Sequence, residues 1–289
     1  MTGIPNYNPL LQVDNKETPE VNVTSQATAA KMHMLKMARA DQAPKSGIEQ
    51  IDQYIKAFLP GSLTVLGAET SAGKSTLCAN IAANIAVHQN KRVLFFALES
   101  GASLSMIVRC HINQKSEKDL TQEEQLEDIP NLKFVIPNGE TVDLKVVERL
   151  IYEENPSFVI IDHIHYMVNP GEKNMSSHIG GIVRSVGALA RKYQTHILLV
   201  SHLNKPSQNQ DESIPKMSRL RDSSFLYQDP AIVMLLARKR KNADDLQPGE
   251  EGFEQEGVVY IAKNRDFGPT GVAKFIYYPE FHSFRFTDL

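Results

Sequence analysis

Tryptophan is absent from this 289-residue chain and cysteine occurs only twice, at Cys78 and Cys110. Two cysteines without metal-ligand spacing exclude a disulfide framework and a cysteine-rich zinc site, and their scarcity fits a reducing compartment. Both read as small apolar packing groups. The chain also lacks a basic excess. Its 31 Lys and Arg against 34 Asp and Glu give a formal net charge of -3, so any nucleic-acid contact must be a local patch or a lined channel. No apolar run is long enough to span a bilayer, and residues 1–20 carry prolines, asparagines and acids instead of a signal-peptide core. These absences lead us to expect a cytoplasmic protein without a membrane contact. The 42% hydrophobic content is ordinary for a globular chain and suffices for one large domain with extensions.

What the chain does have is a complete GxxxxGK[ST] phosphate loop: Gly67, Ala68, Glu69, Thr70, Ser71, Ala72, Gly73, Lys74 and Ser75. An apolar run precedes it and a helix-like stretch follows it. That order suits nucleotide binding, because the strand aims the loop, the glycines let backbone N–H groups approach phosphates, and the helix N-terminus adds partial positive charge. In this reading Lys74 reaches the β- and γ-phosphates of ATP or another nucleoside triphosphate. Ser75 places its hydroxyl on Mg²⁺, and Thr76 is a second hydroxyl that binds alongside or merely packs.

Along the chain, residues 1–24 are polar and irregular and read as a flexible arm or partner-binding tail. Residues 26–40 read as a helix with a narrow apolar stripe, Ala29, Met32, Leu35 and Met37, which docks within the chain or on another subunit. Residues 25–46 would thus connect the arm to a domain covering 47–289. There, apolar runs at 63–66, 93–98, 133–136, 158–162 and 196–201 alternate with helical patterns at 48–58, 74–87, 104–112, 144–154 and 177–193. A further short helix is expected at 122–126. This is the α/β signature of a mostly parallel central sheet flanked by helices. Beyond 231 the apolar runs have only loops between them, which predicts antiparallel hairpins at the C-terminal end. Residues 204–215 and 244–257 read as solvated loops.

Several strand ends carry chemistry. Asp162 closes the run from Phe158 and is placed to hold Mg²⁺ beside Ser75, although a helix cap would look the same. Glu99 follows the run from Val93, as a carboxylate that polarises the water attacking the γ-phosphate or as a surface acid paired with a lysine. His202, at the end of a third run, is a γ-phosphate sensor or a structural histidine. Arg238-Lys239-Arg240-Lys241 reads as a solvated loop or a phosphate-backbone contact. Lys263 and Arg265 precede a glycine-rich turn, whose rigid tip has the geometry of an arginine finger for another molecule.

Taken together, these residues resemble the RecA-like motor domain of the hexameric replicative helicases, the family of DnaB, the phage primase-helicases and Twinkle. The resemblance covers about residues 47–286. Phe95-Phe96-Ala97-Leu98-Glu99-Ser100 is similar to the segment carrying the catalytic glutamate. Ile161-Asp162-His163-Ile164 and Val200-Ser201-His202-Leu203 resemble the primase-helicase and Twinkle branch, which implies that His202 senses the γ-phosphate. Ala262-Lys263-Asn264-Arg265 followed by Gly268-Pro269-Thr270-Gly271 resembles the finger hairpin, implying that Lys263 and Arg265 act in trans. Ser218-Arg219-Leu220-Arg221-Asp222-Ser223-Ser224 resembles the loop that holds single-stranded DNA, implying contacts from Arg221, Asp222 and Ser224 in a sequence-tolerant mode. The family usually has glycine where this chain has Ser224. By the same likeness Arg238 and Tyr278 sandwich the adenine.

The resemblance implies an ATP-dependent, Mg²⁺-using helicase that forms a homo-oligomeric ring, translocates on single-stranded DNA and opens a forked duplex during replication, with a separate primase or loader. No primase or loader-binding domain is expected before residue 47, so the chain reads as a minimal motor. Two other readings stay open: a RecA-type DNA-dependent ATPase that does not unwind, such as a recombination mediator or regulatory assembly, and a nucleotide-binding adaptor without turnover.

Overall fold

A computed structural model describes residues 25–138, 142–168, 174–204, 214–221, 224–241 and 252–287. The expected arm at 1–24, the DNA-loop residue Asp222 and most of both long polar loops lie outside the described residues. The chain divides into two compact units, Met1–Leu35 and Lys36–Leu289. Of the first, only residues 25–35 are described; they form most of helix α1 (Gln26–Ala38), on which Met32, Met34 and Leu35 are exposed.

The second unit is built on a nine-stranded sheet of order β3-β2-β4-β5-β1-β6-β7-β8-β9. Six strands run parallel: β1 (Leu63–Ala68), β2 (Val93–Ala97), β3 (Leu132–Val135), β4 (Phe158–Asp162), β5 (His196–His202) and β6 (Ile232–Arg240). Three more, β7 (Phe253–Asn264), β8 (Gly271–Tyr278) and β9 (Ser283–Thr287), continue it antiparallel. The central strands are near-continuous apolar runs because both faces are covered. On one face lie α2 (Glu49–Ile55), α3 (Lys74–Ala83) and α4 (Ser103–Asn113), packed through Ile51, Ile55, Leu77, Ile81, Leu104 and Val108. On the other lie α6 (Leu144–Glu154) and α7 (Met175–Tyr193), packed through Val147, Ile151, Ile179, Val183 and Val186. A short helix, α5 (Gln122–Leu126), is closed by a Thr121/Glu124 capping box. Among the described residues no helix is long and apolar enough to cross a membrane.

The expected mostly parallel sheet with antiparallel C-terminal strands is therefore what forms. Three details differ from expectation. α3 ends at Ala83 and passes into a π-helical turn, Asn84–His88, instead of running on as regular helix. Arg238, Lys239 and Arg240 belong to β6 rather than to a loop, and Arg238 is buried. The loop expected at 244–257 gives way to strand at Phe253.

β1 sits between β5 and β6, whereas the chain leaving β1 goes to β2, reached across β5 and β4. That reversal leaves a crevice at the carboxyl ends of the strands, where open α/β sheets bind ligands.

Candidate nucleotide site and its flanking surfaces

The phosphate loop leaves β1 at Ala68 and enters α3 at Lys74. Gly73 is in the left-handed region at φ 103°, and a Cβ there would lie 2.8 Å from Phe284 Cζ, so the turn into α3 suits glycine alone. Gly67 faces an equally closed space: a Cβ would meet Leu220 Cδ2 at 2.6 Å. α3 is anchored from β9, since Asn80 donates to the His282 carbonyl at 2.9 Å and accepts from the Phe284 N–H at 3.1 Å.

A cavity of about 290 Å³ opens over the loop, lined by Ser71, Gly73, Lys74, Ser75, Thr76, Glu99 and His202 among others. Lys74 is 5% exposed, and its ammonium donates to the carbonyls of Glu69 at 2.8 Å and Ala68 at 3.3 Å. Burial pulls it down to about 8, against the charges of Asp162 and Glu99. Asp162, at the end of β4, is fully buried, and neither carboxylate oxygen has a well-formed hydrogen bond among the described residues. Burial pushes it up to about 6, opposed by the nearby Ser75 hydroxyl and the Lys74 charge and reinforced by Glu99. An orphaned buried carboxylate beside a hydroxyl is the donor set a hard divalent cation prefers, so the residues present fit Mg²⁺.

Glu99 stands just past β2. Its backbone N–H donates to the Asp162 carbonyl at 3.1 Å, which joins the ends of β2 and β4. Its carboxylate Oε2 lies 3.3 Å from Nε2 of His163 and 3.9 Å from Nε2 of His202. The two imidazole Nε2 atoms are 3.0 Å apart, with the rings edge to face. Burial together with the neighbouring histidines holds His163 down at about 3; burial with the Lys74 charge holds His202 at about 4.

Glu69 binds two arginines from distant segments: Arg219 at 2.7 Å and Arg240 at 2.8 Å. Burial would raise its pKa, but hydrogen bonds from Arg219 and Arg240 overcome this and lower it. Arg219 belongs to the stretch read as the DNA loop. That stretch is also held to the end of β5, because the Arg221 N–H donates to the His202 carbonyl at 3.0 Å and Leu220 bridges to Leu203. Arg221 and Ser224 are both exposed, with Ser224 at the start of α8 (Phe225–Gln228).

Two expected placements change. Tyr277, not Tyr278, lines the cavity with Arg238, and the Arg238 guanidinium lies 4.6 Å from the Tyr277 ring. Neighbouring residues on a strand face opposite ways, so Tyr278 stacks instead with Phe281 and under Arg285. Lys263 turns inward, its ammonium donating to the carbonyls of Tyr227 and Gln228 at 2.7 Å each. Burial and the adjacent Arg265 draw it down to about 8. Arg265 itself is exposed, with no side-chain hydrogen bond among the described residues.

Residues 44–286 match the family model of the DnaB-like helicase C terminal domain. The chain belongs to that family. The replicative DNA helicase DnaB of Pasteurella multocida (strain Pm70) is similar at 28% identity over 261 residues, covering 83% of this chain and 54% of that protein. That of Geobacillus stearothermophilus is 26% identical over 257 residues, covering 83% and 55%. The chain thus spans about half the length of the curated relatives it matches. A DnaB-like replicative helicase, solved in a study of its interactions with primase, superposes with a TM-score of 0.70 at 21% identity, covering 91% of this chain and 67% of that one. A second solved structure, of an isolated ATPase domain, gives 0.71 at 22%, covering 91% and 99%. At these identities the likeness is one of fold, the RecA-like fold.

Within this DnaB-like domain, the sequence reading missed His163 and the pairing of Glu69 with Arg219 and Arg240. His163 had a visible signal, since it directly follows Asp162 at a strand end. Glu69 had none, because its partners are far away in the chain.

Proposed function

We propose that this chain is the ATP-hydrolysing motor of a ring-forming replicative DNA helicase. The observation that carries the reading is the convergence of Lys74, Ser75, Glu99 and His202 on one cavity, with Asp162 buried beside Ser75 and Lys74, while Arg265 stands exposed on the antiparallel extension. Membership of the DnaB-like domain family supports it.

In this reading the loop N–H groups and Lys74 hold the β- and γ-phosphates, exchanging the ammonium's contacts to the Ala68 and Glu69 carbonyls for phosphate oxygens. Ser75 and Asp162 hold Mg²⁺, which when bound neutralises phosphate charge. Thr76 lines the phosphate end, and Arg238 reaches the base. Glu99 orients the attacking water and His202 contacts the γ-phosphate. Arg265 of a neighbouring copy completes the charge stabilisation, so a homo-oligomer, hexameric in the ring form, is the active species. Arg221 and Ser224, with Asp222 between them, contact single-stranded DNA, and the tie of Arg219 to Glu69 transmits the nucleotide state to that loop. A separate primase or loader would complete the replisome.

The test is unwinding of a forked duplex with ATP and Mg²⁺, using Lys74→Ala as control. Strand separation that is lost in the variant supports the reading; ATP hydrolysis by the assembled protein without strand separation overturns it.

A further inference from the structure

The part of the site that the phosphate-loop chemistry does not use is His163. It is 5% exposed, begins the single turn of 3-10 helix at 164–167, and stands between Glu99 and His202. Its Nδ1 accepts the backbone N–H of His165 at 3.2 Å. A ring nitrogen that accepts carries no proton, so the ring is neutral and its one proton is on Nε2. That N–H faces Nε2 of His202 at 3.0 Å and Oε2 of Glu99 at 3.3 Å. Because His202 Nε2 must then accept, the His202 proton sits on Nδ1, which is buried without a hydrogen-bond partner among the described residues.

The ligand-capable atoms of Glu99, His163 and His202 also lie within 4.8 Å of one another, close enough to share a cation. Coordination by His163 Nε2 would need the proton moved to Nδ1, where it would point at the His165 N–H. The backbone therefore disfavours a metal there and favours a donor.

We propose that His163 is a positioning residue: a donor of fixed tautomer that holds the Glu99 carboxylate and the His202 ring in one mutual geometry, so that the water-orienting and phosphate-sensing groups are set together. The inference rests on the roles given to Glu99 and His202 under the proposed function. His163 itself is not among the residues that line the cavity. Its single shared proton makes the arrangement responsive, since a change in what His202 faces alters the donor available to Glu99.

The experiment compares His163→Asn and His163→Gln with the wild-type assembly. Asn puts an amide where Nδ1 stands, retaining an acceptor for the His165 N–H but losing the donor at the Nε2 position. Gln reaches that position with an N–H. We expect Asn to lower DNA-stimulated kcat roughly 10–100-fold, the usual size for an orienting partner, with KM for ATP within about threefold, and Gln to recover most of the loss. Equal loss in both, wild-type turnover in Asn, or a change confined to KM overturns the proposal.

A second readout needs no turnover: ¹⁵N-histidine NMR of the nucleotide-free protein should show His163 as the Nε2–H tautomer and His202 as Nδ1–H, and the reverse assignment overturns the proposal. A wild type with these tautomers but no ATPase would contradict the proposed function while leaving the hydrogen-bond arrangement standing. An active wild type with reversed tautomers would contradict the positioning role alone.

Discussion

The parallel and the antiparallel halves of the sheet treat their charged residues in opposite ways. At the carboxyl ends of β1, β2, β4 and β5, Lys74, Asp162, His163 and His202 are turned into the site and largely buried, with Glu99 a third exposed at its mouth. Just past β7, beyond the parallel strands, Arg265 projects to solvent, although its neighbour Lys263 is tied down within the chain. The first half is preorganised: its groups have already lost water, as electrostatic catalysis requires. The second half offers an exposed cation that makes no side-chain hydrogen bond among the described residues. Under the proposed function, the difference teaches that the parallel half holds the nucleotide and the water-orienting Glu99, and that the last cation needed for turnover comes from a second copy.

That contrast can be broken at its largest effect first. Arg265→Ala should lower kcat by about 10³–10⁵-fold in the assembled protein and leave ATP affinity unchanged, as steady-state kinetics and equilibrium binding of a non-hydrolysable analogue would show. An equal loss of affinity would mean that Arg265 serves its own chain's loop. Next, Glu99→Gln should cost about 10²–10⁴-fold in kcat with binding intact, which single-turnover phosphate release measures.

The third effect is one of pH. Lys74 is held at about 8, so its ammonium is charged below that value and neutral above it. Analogue binding should weaken as pH rises past 8, by up to about tenfold per unit, because binding must then take up a proton. Arg265→Ala should leave this profile unmoved. The smallest effect is expected from Lys263→Ala. If Lys263 works as the tie to α8 seen here, turnover should fall less than about tenfold while DNA stimulation drops, an ATPase comparison with and without single-stranded DNA. A loss matching that of Arg265→Ala would return Lys263 to the trans role.

How much of this could be read from the sequence follows the same divide. The phosphate loop, Asp162 and the parallel sheet were legible because each is local: a motif, a strand end, an alternation of runs. The Tyr277/Tyr278 choice was not, since shifting by one residue moves a side chain to the other face and only the observed pairing of β8 with β7 and β9 fixes which face meets the cavity. Glu69 with Arg219 and Arg240 was illegible because tertiary structure alone brings the three together. Lys263 and Arg265 looked alike as two cations at a hairpin end. Their opposite fates depend on whether helical carbonyls, here those of Tyr227 and Gln228, lie within reach of the ammonium.

The central claim, a site finished by the neighbouring copy, is tested most directly by mixing two inactive proteins. Lys74→Ala lacks the loop lysine but keeps Arg265, and Arg265→Ala has the reverse defect. Co-assembled in equal amounts, they should regain DNA-stimulated ATPase at roughly a quarter of the interfaces, those pairing an intact loop with an intact Arg265. A mixture as inactive as its parts, with co-assembly demonstrated, would contradict the account.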